Sequence, residues 1–296
     1  MLLTIKKNTD LNKFELHIDI ATDNSTVIAE LNQQCPLSNA QLKQAIQKGA
    51  LWLTRGKSTQ RLRRIKKSLK VADTLHFYFD ERVLSQQPGE ALLIADLIDY
   101  SVWYKPYGML SQGSKWSDHC TVARWAQTHL TPERPAFIVH RLDRAATGLI
   151  LIAHSKKAAS ALSLMFEKHD LEKIYHIIIN GDHRLRPQPD SLTSDVDEKS
   201  ARSHFTHIDY DEKNNASLVQ VKIDTGRKHQ IRCHAASIDM PVIGDRLHGK
   251  TAEVNFDSEI NLQLCAVSLS FVCPLTTEQR SFKLPEHLMP SLNALK

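Results

Sequence analysis

Short apolar runs bounded by polar turn residues recur along the second two thirds of the chain. Val, Ile and Leu dominate them, as in residues 137–139 and 149–153. Runs of this length are typical of buried strands, and polar–apolar alternation, as in residues 218–223, is typical of a strand with one buried face. The pattern predicts strands at 100–104, 137–140, 149–153, 174–180, 203–210, 217–224 and 262–273.

Helical periodicity occurs at fewer places in the same region, near residues 119–130, 156–169 and 229–238. Ser155 stands where its side chain can cap the second of these helices. Many strands with few helices favour an α+β fold over an alternating parallel α/β fold.

The first third of the chain has its own pattern of elements. Ser38 can cap a helix that ends at Gly49, and strand-like runs follow at residues 51–54 and 74–79. This arrangement predicts a small α/β unit that precedes the strand-rich region.

The length of 296 residues exceeds that of a typical single domain, so two units with separate cores are expected. The turn-rich stretch before residue 97 marks the predicted boundary, which separates a small domain at 1–96 from a larger one at 97–296. Within the larger domain, the polar and proline-bearing residues 183–202 are interpreted as a long surface excursion.

Positive charge is concentrated in residues 41–70, which contain ten Lys and Arg residues and no Asp or Glu. The formal net charge of the whole chain is only +5, so the remainder is net acidic. Concentrated basicity is typical of a module that binds a polyanion, and the simpler alternative is a solvated basic surface with no specific partner. The candidate polyanion-binding residues are Arg55, Arg61, Arg63, Arg64, Lys66 and Lys67.

One carboxylate is placed conspicuously between two predicted buried strands. Residues 140–143 read His-Arg-Leu-Asp, and Thr-Gly follows at 147–148. Asp143 therefore lies on a loop held by two strands, with Arg141 and Arg144 beside it. A nearby positive charge favours the ionised form of a carboxyl group, which makes Asp143 a candidate nucleophile. The simpler interpretation is a loop Asp that caps a turn.

A second polar run occupies residues 225–234, with the sequence Thr-Gly-Arg-Lys-His-Gln-Ile-Arg-Cys-His. It follows a predicted strand and can begin a helix at His229. Backbone N–H groups at the start of a helix favour anions, so the run is a candidate for binding phosphate or pairing with a carboxylate. A solvated basic turn is the alternative.

These two motifs closely resemble the signatures of the RluA family of pseudouridine synthases. Three further stretches agree with that family in the same order, at residues 104–108 (Tyr-Lys-Pro-Tyr-Gly), 172–181 and 241–245. The resemblance spans roughly residues 97–290, and five ordered motifs are a specific signal. One position departs from the family, which usually has Thr-Ser before the glycine where this chain has Ala146 and Thr147.

The resemblance implies an enzyme that isomerises uridine to pseudouridine within RNA, without a cofactor or a metal. It implies that Asp143 acts as nucleophile or base, that Arg232 pairs with Asp143, and that Tyr175 stacks on the target uracil. A core role for Tyr175 and a phosphate contact for Arg232 are the alternatives. The implied substrate-binding residues are Lys105, Arg141, Arg144, Arg227, His229 and Gln230.

The implied fold is a large, mostly antiparallel mixed sheet with a central catalytic cleft that contains Asp143. The basic N-terminal region resembles the small RNA-binding module named after ribosomal protein S-four. The partner implied is RNA, with ribosomal RNA as the first expectation and transfer RNA as the alternative.

Several function classes are disfavoured by the sequence. It has no Gly-rich phosphate loop, no His-Glu-x-x-His and no Cys-x-x-Cys, and its five cysteines are scattered, as in a reducing cytoplasm. No apolar run is long enough to cross a bilayer, and residues 1–7 place their charges after a short apolar start, unlike a signal peptide. We therefore expect a cytoplasmic, monomeric protein without a membrane partner.

Two other classes stay open at this point. The chain could be a catalytically silent RNA-binding or ribosome-assembly factor, towards which only the Ala146 departure points. It could also be a hydrolase built on Asp143 and a histidine, although no Gly-x-Ser-x-Gly elbow accompanies it. The sequence does not identify the RNA, the target uridine, or the contribution of the N-terminal module to specificity.

Overall fold

The chain forms two compact units in a computed structural model that describes residues 12–249 and 260–295. Unit 1 contains the described residues up to Pro88 together with the segment Gln112–Thr121. Unit 2 contains Gly89–Ser111 and the chain from Val122 onward. The expectation about residues 1–7 lies outside the described residues.

Unit 1 is a four-stranded antiparallel sheet with helices packed against it. Its strands follow the order β1-β4-β2-β3. Its elements are β1 (Lys13–Asp19), α1 (Val27–Gln34), α2 (Asn39–Gln47), β2 (Leu51–Arg55), β3 (Ser58–Arg61), β4 (Thr74–Asp80) and α3 (Glu81–Leu84).

The sequence signals in unit 1 correspond to real elements where they are strong. Ser38 caps α2 through a reciprocal capping box with Gln41, and the predicted strands near 51–54 and 74–79 are β2 and β4. Buried Leu42 and Ile46 of α2 belong to the same apolar core as buried Phe77 of β4. The sequence analysis did not predict β1, α1 or β3.

Unit 2 is built on a ten-stranded sheet. Its strand order is β10-β11-β12-β9-β13-β8-β6-β5, with β14 paired to β13 and β7 to β8. Among the described strands of this sheet, only β13 and β8 pair in parallel. The predicted α+β class with a mostly antiparallel sheet is confirmed.

The strands of unit 2 are β5 (Leu92–Asp96), β6 (Tyr100–Lys105), β7 (Phe137–Ile138), β8 (Thr147–Ala153), β9 (Glu172–Asn180), β10 (Asp190–Val196), β11 (Lys199–Asp211), β12 (Ala216–Ile223), β13 (Leu264–Val272) and β14 (Gln279–Lys283). Its helices are α4 (Val122–His129), α5 (Lys156–Glu167) and α6 (Gln230–Ser237), with short 3₁₀ turns at His183–Leu185, Glu286–Leu288 and Leu292–Leu295.

Two stretches differ from their sequence-based interpretation. Residues 89–96 were grouped with the N-terminal domain, but β5 pairs with β6 and therefore belongs to unit 2. The segment 183–202 was interpreted as a surface excursion, but it contains β10 and the start of β11. β10 is an edge strand whose exposed positions are mostly polar, so it carries no apolar alternation that could reveal it.

β8 is buried on both faces, which explains its continuous apolar sequence. Ile150 and Ile152 belong to one core cluster, whereas Leu149 and Leu151 belong to another that includes residues of α5. A strand enclosed in this way provides a rigid support for the loop that precedes it.

Gly148, near the start of β8, is required by a close approach of two backbones. Its φ is +110°, and a Cβ built there would lie 2.3 Å from the backbone oxygen of Ala266 on β13. This is the point at which β8 and β13 pair, with Gly148 opposite Ala266. Glycine is therefore the residue that allows the strand after Asp143 to join the sheet.

We predict that Gly148→Ala lowers the free energy of unfolding by about 3 kcal/mol or more, since it adds a backbone clash to a strained φ. Gly181→Ala is the matched control, because Gly181 also has a positive φ, of +93°, but its Cβ would meet only the Met240 side chain at 3.5 Å. Chemical denaturation of both variants checks this. Equal destabilisation would show that strain in φ, and not the approach of Ala266, requires glycine.

Candidate active site

Asp143 lies in a tight loop between β7 and β8. The backbone N–H of Ala146 donates to the carbonyl of Asp143 at 3.1 Å, which closes a turn. Ser111 Oγ donates to the carbonyl of Leu142 at 2.8 Å and accepts from its N–H at 3.0 Å. Ala146 is buried in the core, so an apolar contact occupies the position at which the resembled family has a hydroxyl.

Lys105 supports the Asp143 loop from the interior of the protein, and its side chain is fully buried. Its buried ammonium donates to the carbonyls of Met109 at 2.9 Å, Pro106 at 3.2 Å and Arg144 at 3.4 Å. Burial lowers the pKa of Lys105 to about 7, although the charge of Asp143 opposes this shift. The ammonium donates to three carbonyls, which gives Lys105 a positioning role in the fold, and its predicted contact with substrate stays a prediction.

Arg232, on α6, connects two carboxylates. Its Nε and Nη2 donate to the two oxygens of Asp245 at 2.8 and 2.6 Å, and its Nη1 donates to Asp143 Oδ2 at 3.3 Å. The predicted contact between Arg232 and Asp143 is therefore present. The stronger, bidentate partner is Asp245, which the sequence analysis did not assign, although it ends the family-like segment 241–245.

Electrostatics strengthen this pairing. Burial acts to raise the pKa of Asp245, but hydrogen bonds from Arg232 and from the backbone N–H groups of His248 and Leu247 outweigh burial and hold that pKa below its usual value. Burial likewise acts to lower the pKa of Arg232, and the two carboxylates raise it instead. The buried guanidinium and the Asp245 carboxylate are therefore both charged.

His229 approaches Asp143 from the N-terminus of α6. Its φ of 56° lies in the left-handed region, and its Nε2 is 3.7 Å from Asp143 Oδ2. Its Nδ1 lies 2.9 Å from Nε2 of His248. Burial lowers the pKa of His229, against the opposing effect of the Asp143 charge. The Asp143 side chain remains 26% exposed, so part of the carboxylate is accessible.

Gln230 and Arg227 stabilise the turn that leads into α6. Gln230 is buried, and its Oε1 accepts from Thr225 Oγ1 at 2.7 Å and from the backbone N–H of Arg227 at 3.1 Å. Its Nε2 donates to the carbonyl of Arg202 and to Ser203 Oγ, both at 2.9 Å. Every hydrogen-bonding position of the amide is filled, which gives Gln230 a structural role, and its predicted contact with substrate stays a prediction.

The three arginines predicted to bind substrate differ in their surroundings. Arg141 and Arg144 are exposed, and Arg144 Nε donates to the carbonyl of Gly108 at 3.3 Å. Arg227 is half-buried and donates to the carbonyl of Ser200 at 3.2 Å. Their contact with substrate stays a prediction.

Tyr175, on β9, is half-buried and packs against the apolar core of unit 2. It lies opposite Val221 of β12 and Ala266 of β13. Burial raises the pKa of Tyr175 far above its usual value, and the charge of Asp143 adds to the effect. The phenol is therefore protonated at neutral pH. The packing of Tyr175 against the core agrees in part with the alternative prediction that it is a core residue.

His140, in the same motif as Asp143, is a structural acceptor. Its Nε2 accepts the backbone N–H of Leu151 at 3.0 Å, and its ring stacks on Phe166 at a centroid distance of 4.1 Å. Burial, with a contribution from Lys173, lowers the pKa of His140 to about 3. A neutral ring is what the Leu151 hydrogen bond requires.

The basic residues of unit 1 fall into two groups. Arg55 pairs with Asp73, and both Arg61 and Arg63 pair with Asp118 of the same unit. Arg61 also donates to the carbonyls of Gly49 and Ser114, and burial lowers its pKa. These three arginines therefore have partners within the fold.

The second group is exposed. Within the described part of the chain, no carboxylate forms an ion pair with Arg64, Lys66 or Lys67. These side chains, with those of Arg55, Arg63 and Lys70, line an open cavity of about 670 Å³. We call Arg64, Lys66 and Lys67 the exposed basic group.

Within residues 12–249 and 260–295, no three side chains of His, Cys, Asp or Glu are placed to hold a metal ion. None of the helices in those ranges is both long and apolar enough to span a membrane.

Comparison with known proteins identifies the class to which this fold and site belong. A family model described as RNA pseudouridylate synthase matches residues 99–237. A relative named tRNA pseudouridine synthase C, from Vibrio parahaemolyticus, is 32% identical over 60% of this chain and 83% of its own length. The chain therefore belongs to the RNA pseudouridylate synthase family, whose members are isomerases that convert uridine to pseudouridine in RNA.

Other relatives carry different names and match over shorter stretches. Ribosomal large subunit pseudouridine synthase D from Zymomonas mobilis is 29% identical over 49% of this chain and 51% of its own length. The chain spans about half the length of several of the curated relatives that it matches. The solved structure of human RNA Pseudouridylate Synthase Domain Containing 1 has a TM-score of 0.56 and 20% identity over 71% of this chain and 90% of its own, which shows the shared fold.

We predict that Asp245→Asn lowers the free energy of unfolding by about 2–4 kcal/mol, because it removes one charge of a buried ion pair and leaves Arg232 undercompensated. Product formation should fall at least about tenfold, since Arg232 also orients Asp143. Glu172→Gln is the matched control, because it breaks an exposed pair with Lys222 that is worth about 0–1 kcal/mol. If both variants lose the same free energy of unfolding, the buried pair between Arg232 and Asp245 stabilises the protein no more than the exposed pair does.

Proposed function

We propose that Asp143 is the nucleophile or base of this RNA isomerase, with Arg232 and Tyr175 as its principal partners. The observation that carries the proposal is the position of Asp143. Its loop is fixed by Lys105 and Ser111, its Oδ2 is held by Arg232, and part of its carboxylate is exposed. A rigid carboxylate with an accessible face is what attack on a bound nucleotide requires.

The isomerisation breaks one bond between the base and the sugar and forms another. The N1–C1′ bond of uridine breaks, the uracil rotates, and a C5–C1′ bond forms while C5 loses its proton and N1 gains one. Asp143 attacks the target nucleotide to assist departure of the base. Tyr175 stacks on the uracil through its protonated phenol ring, and the proton that leaves C5 passes to solvent.

The target uridine must leave the RNA stack before a side chain can reach its sugar, which costs a few kcal/mol. Stacking on an aromatic ring returns roughly 1–3 kcal/mol per base, which is the contribution assigned to Tyr175. The exposed Arg141 and Arg144 flank Asp143 and are assigned to the RNA backbone next to the extruded nucleotide.

The substrate is a folded RNA, either ribosomal or transfer RNA. The relatives support both kinds, since one is named for transfer RNA and another for the large ribosomal subunit. Ribosomal RNA, the first expectation from the sequence, stays a prediction, as do the cytoplasmic location and the monomeric state.

Unit 1 is proposed to be the RNA-binding module that the sequence resembles. The support is the exposed basic group, whose three cations have no carboxylate partner in the described part of the chain and line one open cavity. Arg55, Arg61 and Arg63 are assigned mainly to the stability of the unit, since each pairs with a carboxylate there.

We predict that Asp143→Asn lowers the rate of pseudouridine formation by about 1,000-fold or more, because the amide cannot act as nucleophile or base. RNA binding should change by less than about twofold, since one carboxylate contributes little to a charge-driven interface. The measurement is tritium release from RNA labelled at C5 of uridine, with ribosomal and transfer RNA in separate arms. Asp195→Asn, an exposed position on β10, is the matched control. A normal yield from Asp143→Asn would exclude the assigned role.

We predict that changing Arg64, Lys66 and Lys67 together to Gln weakens RNA binding and flattens its salt dependence. Each lost phosphate contact removes roughly 0.7 from the slope of log K against log salt on a single strand, or 0.9 on a duplex. The control replaces the exposed Lys156, Lys157 and Lys213 of unit 2 with Gln, which gives the same change of charge. An equal loss of slope in both triple variants would mean that general charge, and not the exposed basic group, binds the RNA.

A further inference from the structure

A chain of polar side chains leads away from Asp143 through residues that the proposed reaction does not use. His229 Nε2 lies 3.7 Å from Asp143 Oδ2, and His229 Nδ1 lies 2.9 Å from His248 Nε2. His248 Nδ1 in turn lies 3.8 Å from Cys233 Sγ. Four side chains are thus connected in one line, from a thiol at one end to the candidate nucleophile at the other.

The possible proton positions decide in which direction these side chains donate hydrogen bonds. If His229 Nδ1 donated to His248, a neutral His229 would turn the lone pair of its Nε2 towards the Asp143 carboxylate, which is repulsive. The opposite direction lets each group donate to the next. Cys233 S–H donates to His248 Nδ1, His248 Nε2–H donates to His229 Nδ1, and His229 Nε2–H points at Asp143 Oδ2.

We propose that His248 is a positioning residue for the reaction, which acts by fixing the tautomer of His229 so that His229 presents an N–H to Asp143. Oδ2 then accepts a hydrogen bond from Arg232, and the N–H of His229 faces the same oxygen at 3.7 Å, which is longer than a hydrogen bond. Among the described residues, none donates a hydrogen bond to Oδ1, which is left to face the nucleotide. The inference rests on the proposed role of Asp143.

The charges around these side chains agree with a neutral His229 and a protonated Cys233 thiol. The groups that face His229 are Asp143, Arg232, His248 and Lys228, and the balance of burial and these charges lowers the pKa of His229. Burial raises the pKa of the Cys233 thiol, which keeps its proton available for His248. The left-handed φ of His229 is a further sign that the ring is held in place against a local cost.

A pH signature follows from the direction of the line. Burial is the main cause of the low pKa of His229, and His248 adds to it. A hydrogen bond from the N–H of His248 to the lone pair of His229 likewise favours the neutral form of His229. Loss of that donor raises the pKa of His229. A protonated His229 would form an ion pair with Asp143 and make its carboxylate less nucleophilic. The acid limb of the pH profile of kcat therefore moves to higher pH.

The experiment compares His248→Phe, which removes the donor, with His248→Gln, whose amide can still donate to His229. For His248→Phe we expect kcat at neutral pH to fall about three- to tenfold, as for one orienting hydrogen bond, with the acid limb moved to higher pH. KM should change by less than about twofold, since His248 contacts no substrate. His248→Gln should keep most of kcat and an acid limb close to that of the wild type. His287→Phe, at an exposed position of unit 2, is the matched control.

The outcomes separate the inference from the proposed function. If Asp143→Asn is inactive while His248→Phe has an unchanged kcat and acid limb, only the inference is wrong. Equal losses for Phe and Gln with no movement of the limb would show a packing role and also overturn it. Should His248→Phe fail to fold, the ¹⁵N shifts of His229 in the wild type decide instead. We expect an unprotonated Nδ1 and a protonated Nε2, and the reverse would overturn the inference.

Discussion

The buried guanidinium of Arg232, shared between Asp245 and Asp143, is the interaction on which the geometry of the site depends. Arg232 is almost fully buried, so its charge must be matched, and the bidentate pair with Asp245 provides that match. Only Nη1 is then left to reach Asp143, at 3.3 Å. The position of the Asp143 carboxylate is therefore set by Arg232 of α6 and, through it, by the Asp245 carboxylate.

A second constraint acts on the backbone of the Asp143 loop. Lys105 places a buried ammonium among three carbonyls, one of which belongs to Arg144 in that loop. Gly108 N–H donates to the same Arg144 carbonyl at 2.9 Å. Carbonyls that accept from a buried amino group cannot turn away without leaving its N–H groups without partners. The loop is thus fixed through its main chain, while Arg232 fixes the side chain.

The sequence predicted most of the strands and the two loops of the site because these carry strong local signals. Buried strands such as β8 are continuous apolar runs, and α2 begins at a capping box with Ser38. Residues whose roles depend on distant partners were harder to place. Lys105, Gln230 and Asp245 are polar in sequence, and only the folded chain reveals that carbonyls, Ser203 and Arg232 saturate them. Edge strand β10 was missed because its exposed positions are mostly polar.

The surroundings of Asp143 differ on its two sides in a way that suits its chemistry. On the protein side, the buried Arg232 and the partly buried His229 approach one oxygen. On the other side, the carboxylate keeps about a quarter of its surface open. A nucleophile bound on both oxygens would have to break hydrogen bonds before it reacted, whereas one bound on neither would lose its orientation. Fixing a single oxygen avoids both costs, and the second oxygen has no hydrogen-bond donor among the described residues.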